Sequence, residues 1–121
     1  MCFGLEMIAL LLLAAVSYSR EIAPLLVKHC GSCHGDRRSV PRGDFSVVTY
    51  EDLMQGGGLT QTIVPGDPER SLIVHFLEGR RGEVFRMPLD APPLTRAQID
   101  LIRRWIAEGA KSDMKMRKGT R

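Results

Sequence analysis

Cys30-Gly31-Ser32-Cys33-His34 constrains this chain more than any other stretch of its 121 residues. Two thiols two residues apart, followed at once by an imidazole, form the C-x-x-C-H signature of c-type haem attachment. Each residue type has a chemical reason. The thiols add to the two vinyl groups of one porphyrin and give two thioethers. One helical turn and its exit span the vinyl separation. The adjacent histidine then lies under the iron and offers a ring nitrogen as proximal ligand. C-x-x-C alone also suits a dithiol redox pair or half of a zinc site. A four-ligand zinc site takes two pairs of Cys/His ligands, and no second pair follows. A thioredoxin-like dithiol needs a βαβ setting, which the downstream sequence lacks. The residues predict one haem c, bound covalently through Cys30 and Cys33, with His34 on the iron.

A chain of this length makes one small domain. A haem held covalently supplies a large apolar centre for its helices. The third cysteine, Cys2, stands alone, so no disulfide framework is expected. Met7 to Val16 is an unbroken apolar run, and Ser17-Tyr18-Ser19 after it fits a small-x-small cleavage pattern. This predicts an export signal over residues 1–19, with the mature protein starting near Arg20. The segment before the run carries Glu6 and no Lys or Arg. That departs from an ordinary signal and keeps open a start at Met7 or a retained anchor. The run is short for a bilayer span. Export agrees with the haem reading, because c-type haem is attached outside the cytoplasmic membrane.

The net charge of +3 lies in the tail. Residues 20–110 hold twelve basic and twelve acidic side chains, whereas Lys111, Lys115, Arg117, Lys118 and Arg121 face only Asp113. Residues 111–121 read as a solvated, disordered end. A docking role toward an acidic partner or an anionic membrane surface is the alternative. No aromatic residues interleave with these charges, which gives nucleic-acid binding little support.

The rest of the chain reads as helices. Ile22, Leu25, Leu26 and Cys30 recur at helical spacing and predict a first helix over 21–33. A polar loop with Pro41 and Gly43 follows. Thr49 with Asp52 resembles a capping box for a short helix over 49–55, which Gly56-Gly57-Gly58 stops. The triple glycine lacks the Lys-Ser/Thr and the preceding strand of a phosphate cradle and reads as a loop near the haem edge. Asp67 and Pro68 begin a third helix, whose buried face is Leu72, Ile73, Phe76 and Leu77 and which Gly79 closes. Thr95 and Gln98 form a full capping box for the last helix, with Leu94 and Ile99 placed as a staple. Ile99, Ile102 and Ile106 make its stripe, widened by Leu101 and Trp105, and Gly109 lies at its end. No run alternates with period two. The expected fold is all-α, a small helical bundle around one haem, over residues 20–110.

Met87 is the expected distal ligand. It sits in the loop between the third and last helices, and Pro88 stiffens that loop. A thioether binds iron weakly and has to be presented rather than pulled in. Among the competitors, Met54 reads as core, and Met114 and Met116 lie in the charged tail. His29 cannot easily reach round the porphyrin, and His75 sits among apolar residues. Arg42, Arg80, Arg81 and Arg86 are candidates for pairing with haem propionates, with plain surface arginines as the simpler reading. Trp105 suits the porphyrin edge or the ordinary core equally well.

His/Met ligation fills both axial positions and raises the potential relative to bis-His. The predicted task is one-electron transfer to and from redox partner proteins in the periplasm, by a monomer that is not an enzyme. The alternatives are a haem enzyme or a gas or redox sensor with a dissociable distal ligand. No distal His/Arg acid–base pair is identifiable near Met87, which counts against the enzyme.

Several segments together resemble the planctomycete-type cytochrome c domain, a branch of the class I cytochrome c fold. They are Cys30 through Gly35, Val64-Pro65-Gly66-Asp67-Pro68-Glu69-Arg70-Ser71-Leu72-Ile73, Met87-Pro88, Leu94-Thr95, and Trp105 through Ala110. The resemblance covers roughly 21–110. It implies a small helical bundle around one haem, thioethers at Cys30 and Cys33, His34 proximal and Met87 distal. The family commonly reads Met-Pro-Pro close to its last helix, whereas this chain reads Met87-Pro88-Leu89-Asp90-Ala91-Pro92-Pro93. Such domains often stand at the N-terminus of much larger chains. That makes a free-standing carrier and the haem domain of a truncated larger protein the two readings of this one.

Overall fold

The computed structural model describes residues 14–36, 41–58 and 61–114. The apolar run as far as residue 13, Cys2, part of the polar loop after the haem motif, and the tail from 115 with Met116 lie outside the described residues. Every regular element among the described residues is helical, as expected, with no strand.

Helix α1 spans Ala23–Cys30 and is led in by a π-helical turn, Tyr18–Ile22. The Ser17 side chain caps that turn by accepting from the Arg20 N–H at 3.2 Å. The helix ends three residues earlier than the spacing predicts. The N–H groups of Cys33 and His34 both fold back onto the Cys30 carbonyl, at 3.2 and 2.8 Å, and wind the motif into a tighter turn. Helix α2, Tyr50–Gln55, starts as expected, with Thr49 accepting from the Asp52 N–H at 3.1 Å. Gly56 then takes φ +81°, a conformation L side chains resist, and ends it.

Helix α3 is Leu72–Leu77, shorter than predicted. Asp67 does act as a cap, accepting from the Arg70 N–H at 3.2 Å, but it caps a separate 3₁₀ turn, Pro68–Arg70. Ser71 divides the two. Its buried hydroxyl accepts from the Val64 N–H at 2.9 Å and donates to the Asp67 carbonyl at 2.8 Å. These bonds hold Ser71 extended, at φ −82° and ψ 116°, where the helix would otherwise continue.

Helix α4, Arg96–Ala107, carries both halves of the capping box: Thr95 Oγ1 accepts from the Gln98 N–H at 3.2 Å, and Gln98 Oε1 from the Thr95 N–H at 2.9 Å. Replacing Thr95 by Ala removes one half and is expected to cost about 1 kcal/mol, read as a lower denaturant midpoint with unchanged slope.

Helix α4 is the hub, packing against the π-helical turn, the 68–70 turn and α3. Its buried Ile99, Ile102, Trp105 and Ile106 meet Ile22, Leu26, Leu53 and Val74 in one core. The Trp105 indole stacks on Tyr18 with centroids 5.5 Å apart, and Tyr18 meets Tyr50 edge-on at 5.2 Å. Trp105 Nε1 donates to the Lys111 carbonyl at 2.9 Å, and the Tyr50 hydroxyl to that of Ala110 at 2.8 Å. Trp105→Ala is expected to cost about 3–5 kcal/mol, enough to abolish a cooperative transition in a marginal domain.

Core packing among the described residues reaches back before residue 20. Val16 and Tyr18 are core residues, with Tyr18 only 1 % exposed. Ser17 Oγ donates to Asp113 Oδ2 at 2.5 Å, and the Ser19 N–H to Asp113 Oδ1 at 2.8 Å. Those bonds, the Ser17 one foremost, hold the Asp113 carboxyl down at about 2. The sequence hides this because Val16 closes the apolar run and reads as part of it. Among the described residues no helix is long and apolar enough to cross a membrane.

Candidate functional site

The end of α1, the loops after it and α2, one face of α3 and the loop before α4 enclose a cavity of about 490 Å³, within the range of cofactor pockets. Cys30, His34 and Met87, far apart in sequence, all line it. Cys33 is half-buried nearby and is not part of the lining. The walls are largely carbon. Leu72, Ile73, Phe76 and Leu77 of α3 form one side, the four residues expected as that helix's buried face. Phe45 lies on another, its ring 5.2 Å from that of His34 and edge-on to it.

His34 is oriented by backbone. Its Nδ1 lies 2.9 Å from the Arg42 carbonyl oxygen and 3.1 Å from that of Phe45. Both partners are acceptors, so Nδ1 carries the proton and the neutral ring keeps its lone pair on Nε2. A ligand histidine needs that tautomer. The loop supplying these carbonyls is tied to the motif: the Arg42 N–H donates to the Cys33 carbonyl at 2.9 Å and the Val47 N–H to the His34 carbonyl at 2.9 Å.

The Cys30 thiol is pushed up to about 11, first by burial and then by the nearby Cys33. It stays protonated at neutral pH, the reverse of the depressed thiol of a dithiol catalyst. Among the described residues no three His, Cys, Asp or Glu side chains gather as a metal-ion site.

Met87 is held by its own backbone, whose N–H donates to the Phe76 carbonyl at 3.1 Å and so pins the loop to the end of α3. Its side chain is half-buried and packs against the core. The Met87–Pro88 bond is cis. The competing residues lie elsewhere. Met54 packs against the core, Met114 is 54 % exposed, and neither lines the cavity. His29 is half-buried and off the lining. His75 Nε2 meets the Glu69 carbonyl at 2.5 Å. Trp105 takes the core role and not the cavity edge.

None of the four candidate arginines lines the cavity. Arg80 pairs with Glu69 and Glu78, each at 2.9 Å, and Arg86 pairs with Glu83. Arg42 and Arg81 are exposed. Arg42 contributes through its carbonyl, a role no side-chain motif signals.

The triple-glycine loop, expected near the haem edge, supplies two residues of the cavity wall, and sequence reasoning missed only its partner Gly43. Gly43, Gly57 and Gly58 line the cavity, and the Gly58 N–H donates to the Gly43 carbonyl at 3.2 Å. A Cβ on Gly57 would sit 3.1 Å from that carbonyl oxygen. The absence of a side chain lets the two loops close on each other. The run of three glycines was the available signal, and its partner loop is visible only in three dimensions.

The cavity suits a porphyrin in its chemistry. It offers an imidazole with a free Nε2, a thioether from another segment, a protonated cysteine in the wall and apolar surroundings. Residues 30–88 match the family model described as Planctomycete cytochrome C. No curated protein and no solved structure matches the chain.

Proposed function

Residues 30–88 belong to the planctomycete cytochrome c family, and from that premise we propose that this c-type cytochrome is an exported, monomeric electron carrier with one His/Met-ligated haem. One observation carries the reading: Cys30, His34 and Met87 line a single apolar cavity although 57 positions separate the first from the last. Cys30 and Cys33 would hold the haem as thioethers, His34 through Nε2 and Met87 through its sulfur. When bound, the haem supplies one-electron cycling between Fe(III) and Fe(II).

The protein's own part is to orient and exclude. The Arg42 and Phe45 carbonyls keep the His34 tautomer and ring plane the same in both oxidation states. The Phe76 carbonyl keeps the Met87 loop in place. His34 and Met87 would together occupy the iron and leave a small oxidant no open place to bind. The apolar walls would keep water from a bound haem and so favour its less charged, reduced state. A fixed ligand set also keeps reorganisation small, as a carrier between redox partner proteins requires. Export places the chain where c-type haem is attached and where such partners are met.

A pyridine haemochrome spectrum of protein made with a c-type maturation system tests the reading. The expected spectrum is that of a haem with both vinyl groups saturated. Colourless protein, or the spectrum of a haem with free vinyls, would overturn it.

A further inference from the structure

Val16 marks a sharp edge. Ala14 and Ala15 are exposed, whereas the Val16 side chain is 8 % exposed and belongs to the core. The Val16 backbone nitrogen donates to Glu108 Oε1 at 2.8 Å, a contact spanning most of the folded body. The other oxygen of the same carboxylate takes the Arg104 Nε–H at 3.2 Å. Tyr18, two residues on, is sandwiched by Trp105 and Tyr50. A cut after Ser19 would delete Val16, Tyr18 and both serines bonded to Asp113. A cut after Ala15 puts a small residue at the last leader position and Leu13 two before it, a poorer match to small-x-small than Ser17-Tyr18-Ser19; what favours it is where the folded body begins.

We infer that the leader is removed at the Ala15–Val16 bond and that the new α-ammonium of Val16 seats on the Glu108 carboxylate. The inference rests on the exported reading above. The step is an amide hydrolysis by the leader peptidase of the exporting cell. One water is consumed: its oxygen ends on the Ala15 carbonyl carbon, which leaves as the leader's carboxylate. Both of the water's hydrogens end on the Val16 nitrogen, which is then largely ammonium at neutral pH. The bond to Glu108 keeps its two heavy atoms and gains a charge, and charge-assisted bonds are roughly twice as strong as neutral ones. Arg104, which also donates to the Ala14 carbonyl, loses that contact and keeps its pairing with Glu108.

The test is N-terminal sequencing and intact mass of the exported protein, expressed from the full chain with c-type maturation. A first residue of Val16 is the expected result. A start at Tyr18 or Arg20, or retention of the leader, would overturn the inference. The N-terminus is read whether or not pigment is bound, so this inference and the cytochrome reading fail separately. A second measurement compares Glu108→Gln in the Val16-starting protein with the same change in a form keeping Ala14 and Ala15. The loss of thermal midpoint should be about twice as large when the ammonium is present. Equal losses would show that the ammonium does not sit there.

Discussion

Alanine at both Cys30 and Cys33 should yield a protein from which acidified organic solvent strips all pigment, and which no longer unfolds cooperatively. The first effect is chemical: without sulfur, no bond joins porphyrin to chain. The second follows from the size of the cavity. A porphyrin held without thioethers can leave, and apolar walls around about 490 Å³ then meet water. Protein stripped of its pigment should therefore lose its cooperative transition, the walls from Leu72 to Leu77 and at Phe45 collapsing or opening. The single replacements should retain one thioether and give a haemochrome band between those of doubly and never-attached haem. A double variant that keeps solvent-resistant pigment would mean that other side chains hold the group, and the site assignment would fail at its root.

Met87→Ala should leave the haem attached and change what it does. The ferric protein is expected to lose its weak far-red charge-transfer band, which arises from sulfur on iron. The potential should fall by a substantial part of the ~0.8 V span that axial ligands command. The ferrous protein should then bind carbon monoxide rapidly, having an open position. Survival of the band would move the ligand to another methionine. Met54, Met114 and Met116 would then each need the same replacement. Rapid carbon monoxide binding by the unaltered protein would instead favour the gas-binding alternative, with Met87 leaving the iron readily.

Much of the candidate site was legible because attachment chemistry demands contiguous residues. Cys30, Cys33 and His34 declare themselves by spacing, and Leu72, Ile73, Phe76 and Leu77 by helical period. Both halves of the α4 capping box were legible for the same reason, since the motif is local. Met87 was legible as a choice among six residues by its loop position and Pro88, and among the candidates within the described residues it alone lines the cavity. The carbonyls of Arg42 and Phe45 were not legible. Backbone acceptors carry no residue signature, and which loop passes the imidazole depends on the path of the chain. The division of the third helix at Ser71 was missed as well, because a buried hydroxyl bonded to Val64 and Asp67 overrode a continuous helical pattern.

The order of residues alone determined that this chain carries a haem motif at the end of a helix, and that its remaining elements are short capped helices. Those are matters of covalent spacing and of bonds between near neighbours. Only the tertiary structure decided that Val16 and Tyr18 join the core and which residues line the cavity. Tyr18 joins the core because Trp105, 87 positions away, offers its indole face. The glycines at 43, 57 and 58 form a wall because two distant loops meet. Burial depends on which surfaces come together, and an apolar stretch reads the same in sequence whether it enters a membrane, a peptidase or its own domain.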